Sequence, residues 1–494
     1  MTTHEHLPTV QKWGVQEIVC PGFTKGNPFT DYEIRARFVS DGETVEVPGF
    51  YDGNGRYVVR FMPSFEGRYS YRVWGSFSNE VLTGSFEVTA PDAHVHGPVH
   101  VSNTYHFAYA DGTRYDPVGT TCYVWHLQSP EIFDNTLQTL SASAFNKIRF
   151  CVFPKHYDYN HNEPFAYPFE TASSQDGAPY AWDFSHPNPV YFRHLEKAVV
   201  RLGELGIEAD IIVLHPYDRW GFSRMTSEQD QAYLGYLSRR ISAYRNVWWA
   251  LANEYDLMPH KTMDDWEACA AALQANDPYH RLMSIHNCGP FYDHTRPWVT
   301  HCSVQRQELH RTAELVNVWR EQYHKPVVVD EMGYEGDIQH GWGNLTAEEL
   351  TRRFWEATVR GGYGGHGETY LNEREILWWS HGDVLHGDSP ARIAFLRDFL
   401  HELPGPLMPF RAAWDEMAAT IEGYEGEAAP VYLYYYSFMR PSFRDFRVPD
   451  GTAYQVEVID TWNMTRTDCG LCEGEFRVQM PAKCYVAVYM KRVK

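Results

Sequence analysis

The sequence predicts an α/β protein: a (β/α)8 TIM barrel flanked by an N-terminal Ig-like β-sandwich and a small C-terminal β-sandwich. Three observations carry this reading. Residues 1–97 alternate apolar and polar side chains between Gly, Asn and Pro turns. Residues 98–408 alternate short β-branched or aromatic runs with helical stretches, and residues 409–494 return to strands without helices. A chain of 494 residues is also too long for one compact core and long enough for two or three.

The first segment reads "YEIRARFVS", "ETVEVPGFYDG", "GRYVVRFMPS", "GRYSYRVWGS" and "TGSFEVTA", the period-two pattern of half-buried strands in a sandwich. The Pro/Gly/His stretch "APDAHVHGPVHVS" then marks a linker. In the middle segment the candidate strands are "DPVGTTCY", "KIRFCVF", "EADIIVL", "VWWALAN", "LMSIHN", "HCSVQ", "PVVVDE" and "GGHGETY", with "ILWWSHGD" competing for eighth place. Helical stretches such as "QDQAYLGYLSRRISAY", "MDDWEACAAALQAN" and "TAEELTRRFWEATVRGG" separate them. Eight such units over about 300 residues are the barrel pattern. A doubly wound sheet would alternate too, but no Gly-rich nucleotide fingerprint follows a strand. The tail, "PVYLYYYSFM", "AYQVEVIDTWN", "GEFRVQMP" and "CYVAVYMKRVK", reads as an antiparallel sandwich.

The net charge of −21 and the lack of a basic run exclude nucleic acid and anionic membrane as expected partners. No apolar window is long enough to span a membrane, and "MTTHEHLPTVQKWGV" lacks the pattern of a secretory signal. The nine cysteines are scattered, several inside apolar strands, as in a reducing compartment. The expected location is therefore cytoplasmic. "CGLC" (Cys469, Cys472) has no second pair and reads as a loop turn rather than a zinc site. Aromatics make up 15% of the chain, with 16 Trp and 33 Tyr. Such side chains suit sugars, although large β-rich proteins also bury many.

Barrel enzymes project their functional groups from the C-terminal ends of the strands. Strand four ends in Asn253-Glu254 and strand seven in Asp330-Glu331. Glu331 follows Glu254 by 77 positions, three strand–helix units of about 26 residues, so the two strands face each other across the mouth. Two facing carboxylates are what glycosidic bond cleavage needs: one protonates the departing oxygen, the other attacks or activates water. A separation of about 5–5.5 Å gives retention and about 6.5–9.5 Å inversion. Mutual repulsion raises one pKa and keeps that acid protonated.

These residues resemble clan A of the glycoside hydrolases, which includes family 5. The segments "VGTTCYVWHLQ", "NKIRFCVFPKHYDYN", "WWALANEYD" and "VVVDEMGYEG", with the flanking sandwiches, resemble more closely the apiosidase-like bacterial glycosidases. The resemblance implies a retaining, cofactor-free hydrolysis of a β-type glycosidic bond, with Glu254 as general acid/base and Glu331 as nucleophile. Asn253 would then bond the sugar 2-hydroxyl, and Arg149 on strand two would lie near Glu331 and hold it ionised. Many clan members place a tyrosine on strand six to serve the nucleophile; "THCSVQRQ" offers Gln305 instead, so that job falls to Gln305 or to another donor.

Further candidates for substrate contact stand at or after strand tips. Trp125 and His126 follow strand one, Trp125 as a sugar platform or as rim packing. Lys155, His156 and Tyr157 follow strand two and suit hydroxyl contacts. His215 and His286 follow strands three and five, where a histidine either binds ligand or braces the loop. Trp379 is the candidate pocket floor. The long aromatic loop 160–189 is expected to cover the site and favour exo-acting cleavage of a small glycoside.

Two rival readings differ in class. A metal-dependent barrel hydrolase would use His94 and His96 with His215, His286 and the His381–Asp383 stretch, but "HVH" lies in the linker before strand one. A non-catalytic carbohydrate-binding barrel would gain nothing from two carboxylates that repel each other. No metal or cofactor is expected. The sugar's identity and the oligomeric state are not legible.

Overall fold

Eight parallel strands form the central sheet: β1 (Val118–Thr121), β2 (Lys147–Cys151), β3 (Glu208–Ile212), β4 (Val247–Ala250), β5 (Met283–Ser284), β6 (Cys302–Gln305), β7 (Val327–Glu331) and β8 (Tyr363–His366). The structure, a computed structural model, describes residues 7–172, 180–306, 308–424 and 428–493. The sheet order β5-β4-β3-β2-β1-β8-β7-β6 is that of a barrel with its seam between β5 and β6. Thr300, just before β6, bridges the seam: its backbone N–H donates to the Met283 carbonyl (2.8 Å) and its hydroxyl oxygen accepts from the Met283 N–H (2.8 Å).

Every residue of β2, β3 and β4 is buried, because a parallel strand here is covered by helices outside and by the opposite strands inside. Helices α1 (Pro130–Ser141), α2 (Pro189–Glu204), α3 (Ser227–Ile241), α4 (Met263–Asn276), α5 (Val316–Tyr323) and α6 (Ala347–Val359) form the outer ring. Their starts are written in the sequence: Thr226 with Gln229, and Thr262 with Asp265, make reciprocal capping boxes. "GGHGETY" supplies the eighth strand. "ILWWSHGD" forms the single-turn helix α7 (Trp378–His381), followed by α8 (Ser389–Glu402).

The two-residue period of the strands sorts the doubled tryptophans of β4. Trp248 points into the barrel, 5.2 Å from the Phe107 ring of a small sheet (Val99–Ser102, His106–Tyr109, Arg114–Tyr115) that closes the floor. Trp249 points outward and its indole N–H donates to Asp277 at the end of α4 (3.1 Å). Above the floor lies a charged layer. Lys147 Nζ donates to Asp210 (2.5 Å) and Asp330 (2.8 Å), and Ser303 also donates to Asp330 (2.5 Å). Arg149, two positions after Lys147, occupies the next layer up.

The N-terminal sandwich packs a five-stranded sheet on a three-stranded one, with Phe38 stacked on Phe61 at 4.1 Å in its core. Buried ion pairs dock it to the barrel: Asp52 accepts from Arg240 (2.8 Å), and Glu196 pairs with Arg240 (2.5 Å) and Arg60 (2.8 Å). The C-terminal segment forms a six-stranded sheet and a two-stranded one. Its aromatics pack on the barrel's helices, as Tyr435 does against Trp355 (5.8 Å) and Tyr489 against Phe399 (5.1 Å). Cys469 and Cys472, expected in a loop turn, lie within the strand Thr465–Glu473. A register shift opposite Val456/Glu457 and the positive φ of Gly470 (82°) mark a β-bulge there.

Candidate active site

Glu254 and Glu331 line the same cavity, of about 580 Å³, at the C-terminal mouth of the barrel. Each arrives there by a departure from regular strand geometry. Glu254 follows β4 in the left-handed conformation (φ 51°, ψ 59°), rare for a side chain with a Cβ and costing about 1–3 kcal/mol. Glu331 owes its aim to the pairing of β6 with β7, which slips between Val304 and Gln305 so that Asp330 is the extra residue. The bulge lets consecutive side chains both face inward, Asp330 to the charged layer and Glu331 to the cavity.

One network ties the two carboxylates together. Arg149 donates to Glu331 Oε1 (2.7 Å) and to Asn253 Oδ1 (2.6 Å). Asn253 Nδ2 donates to Glu254 Oε2 (3.1 Å). The Tyr123 hydroxyl donates to Glu331, and the Tyr217 hydroxyl to Glu254. Gln305 Nε2 donates to Glu254 Oε1 (2.7 Å).

The two carboxyl groups titrate in opposite directions. Burial, then the charge of Glu331, raises Glu254 above its ordinary value, and its hydrogen bonds offset only part of this. Burial alone would also raise Glu331, but His286, Arg149, the Tyr123 hydroxyl and Lys155 outweigh it and hold the group below its ordinary value. His286 lies 3.9 Å from Glu331, yet burial pushes its own pKa down to about 3. It is neutral at ordinary pH, and the permanent charge of Arg149 then keeps Glu331 ionised. The two environments thus push the carboxyl pKa values apart, Glu254 upward and Glu331 downward, the separation that acid-assisted displacement draws on.

Of the residues singled out from the sequence, Glu254, Glu331, Lys155, Tyr157, Gln305 and Trp379 line the cavity. Arg149 is fully buried directly behind Glu331. Several placements correct the expectations. Gln305 donates to Glu254 rather than to Glu331; the hydroxyl donor to Glu331 is Tyr123, from the end of β1. Asn253 is buried and does not line the cavity, because its amide is engaged by Arg149, Tyr123 and Glu254. Trp125 is fully buried and stacks on Phe133 of α1 at 4.9 Å, so it is packing and not a platform. His126 bonds the Cys151 carbonyl (2.9 Å) and His215 the Phe153 carbonyl (3.3 Å), both beneath the rim. His286 is buried behind Glu331, and His156 faces His161 (3.3 Å) outside the cavity. No described residue of loop 160–189 lines the cavity. The loop turns toward the segment after β3, where Glu163 accepts from Arg219 and from the Trp220 indole (2.8 Å); its residues 173–179 lie outside the described ones. The wall is built instead by Leu257, Leu309, Thr312, Tyr334 and Trp342.

The histidines of the metal-hydrolase reading do not assemble. His96 bonds Asp111 (2.8 Å), outside the barrel mouth. Among the described residues one group has ligand atoms near enough to share an ion, Glu335, His366 and Glu368, all buried. Its carboxylates already accept the backbone N–H groups of His386, Gly387, Asp388 and Ser389 at 2.6–3.0 Å, which anchor the loop leading into α8.

The sequence profile of the apiosidase-like catalytic domain matches residues 101–383. Two domains of unknown function, DUF5060 and DUF5605, match residues 9–75 and 414–491. A candidate glycoside hydrolase from Bacteroides vulgatus ATCC 8482, known from its crystal structure, is 34% identical. The match covers 98% of this chain and 100% of that one, with a TM-score of 0.92. A glycoside hydrolase family 5 protein of the same organism shares the fold at 15% identity and a TM-score of 0.59, over 80% of this chain and 94% of that one. No curated protein matches.

Proposed function

From the premise that this chain belongs to the apiosidase-like family of glycoside hydrolases, we propose that it is a retaining β-glycosidase acting on the end of a small glycoside or oligosaccharide. Glu331 is the nucleophile and Glu254 the general acid/base. In the first step Glu331 attacks the anomeric carbon while Glu254 gives its proton to the departing oxygen. In the second, Glu254 takes a proton from water as that water attacks the same carbon and releases Glu331. Tyr123 and Arg149 stabilise the ionised nucleophile, and Gln305 and Tyr217 orient the acid. Asn253 acts as a positioning residue that couples the two halves.

The observation that carries this reading is a pair of carboxyl groups on one cavity in unlike settings, Glu331 against the Arg149 guanidinium and Glu254 against the neutral donors Tyr217 and Gln305, which pushes their pKa values in opposite directions. The cavity's volume falls in the range of small-molecule pockets, about 300–1,000 Å³, which supports exo-action on a short substrate. The described residues hold no disulfide, which supports action in the cytoplasm, and none of their helices is long and apolar enough to cross a membrane. The test is hydrolysis of a panel of activated aryl pyranosides and furanosides by wild type, Glu254→Ala and Glu331→Ala. At least one glycoside should be cleaved by wild type and slowed by about 10²–10⁴-fold in each variant. Cleavage that survives both substitutions overturns the assignment.

A further inference from the structure

Four cationic side chains lie at or directly behind the cavity, and three of them are neutralised by the protein. Arg149 is held by Glu331. Arg306 is held by Glu308 (2.8 Å) and Glu314 (3.0 Å). Arg353 is held by Glu349 (2.6 Å) and by the carbonyls of Met332 and Leu309.

Lys155 is different. It is only 3% exposed, it lines the cavity, and its ammonium has aromatic faces around it: Tyr123 at 3.5 Å, Tyr217 at 4.3 Å, Trp379 at 4.5 Å and Tyr157 at 5.6 Å. No described residue gives it a hydrogen bond or an ion pair. Glu254 and Glu331 are near enough to favour its charge, but their oxygens are engaged by Tyr217, Gln305, Asn253, Arg149 and Tyr123. Aromatic faces stabilise a cation without accepting its three N–H groups. Lys155 lines the cavity, so its N–H groups are offered to whatever occupies that space, and an anionic oxygen is the acceptor that gains most from a cation in so apolar a surround.

We infer that the sugar occupying this cavity carries a carboxylate, a glycosiduronic acid rather than a neutral sugar, and that Lys155 is its recognition residue. Tyr123, whose face meets the ammonium, also donates its hydroxyl to Glu331, so Lys155 and the proposed nucleophile border the same subsite. The inference rests on the glycosidase reading for the meaning of that subsite, but its test does not use cleavage.

The test is calorimetric titration of wild type and Lys155→Met with three matched pairs: glucuronate and glucose, galacturonate and galactose, mannuronate and mannose. Wild type should bind at least one acid about tenfold or more tighter than its neutral parent, the size of one charge-assisted hydrogen bond. Lys155→Met should lose that preference. A second arm uses pH. Burial lowers the Lys155 pKa to about 8, so the wild-type preference should fade as pH rises through that value. The other titratable or charged groups facing it are Cys151, Tyr123, Tyr157, Tyr217, Glu254, Glu331 and Arg149. Ionisation of either glutamate also repels an acid, so the fade must be larger in wild type than in Lys155→Met, while burial holds the thiol and phenols protonated. Equal or tighter binding of the neutral sugars, or no binding of any acid, overturns the inference. A wild type that keeps the preference but cleaves no glycoside of the aryl panel would instead count against the glycosidase reading alone.

Discussion

Gln305 places its amide N–H on Glu254, 2.7 Å from Oε1, and not on Glu331 across the cavity. A donor to a carboxylate favours its ionised form, so Gln305 restrains the upward shift that burial and Glu331 impose on Glu254. Replacing it by Ala should raise the Glu254 pKa further. The acid then stays protonated to higher pH, and the alkaline limb of the kcat/KM profile should move up while its maximum falls about 10–100-fold, the cost of one hydrogen bond to a charged group. An unmoved alkaline limb would mean that Glu254 is not the acid.

Tyr123→Phe should act on the other limb. Its hydroxyl is a donor to Glu331, and it helps hold that group below its ordinary value. Without it the Glu331 pKa rises, so the acidic limb should move to higher pH. The aromatic face on Lys155 is kept, so binding of substrate should change less than kcat. A KM effect without a kcat effect would contradict the role.

Arg149→Met should move the acidic limb in the same direction and more strongly, because the guanidinium is the permanent charge beside Glu331. It also strands Asn253 and a buried carboxylate, a loss of about 3–5 kcal/mol when one partner of a buried pair is removed. A thermal melt alongside the kinetics separates the two effects, and a profile unchanged in pH would reduce Arg149 to a packing residue.

The docking of the N-terminal sandwich should fail at low pH. Burial alone would raise Glu196, but Arg240 and then Arg60 hold it below its ordinary value of 4.5. A depressed carboxyl contributes stability that is present above the unfolded value and is lost as pH falls through the folded one. Glu196→Ala should cost about 3–5 kcal/mol at neutral pH by leaving Arg240 buried with fewer partners. It should also remove part of the acid sensitivity below about pH 4.5, measured by denaturant melts at several pH values.

The barrel and its flanking sheets were legible because strand and helix periods differ, and Glu254 and Glu331 stood out because they sit at strand ends three units apart. What escaped was rotation beyond each strand. Tyr123 stands only two residues from Trp125 in "TTCYVWH", and one sequence does not say that the first faces Glu331 while the second turns under α1. Tyr217 was hidden in the same way behind His215, and Trp342 lay in a loop far from any strand tip. A signal was present for Tyr123, a hydroxyl-bearing aromatic at a strand end. The bulge that turns Asp330 and Glu331 to the same side left no mark in the residue types, since it is a property of the pairing with β6.

If Glu331 forms a covalent bond to the sugar, proton NMR of the first product from a cleaved aryl glycoside will show it, with Glu331→Ala in azide run beside the wild type. The first product should have the same anomeric configuration as the substrate. The variant should recover activity in azide and yield a glycosyl azide of the opposite configuration. A first wild-type product of inverted configuration, with no recovery in azide, would contradict the covalent role of Glu331.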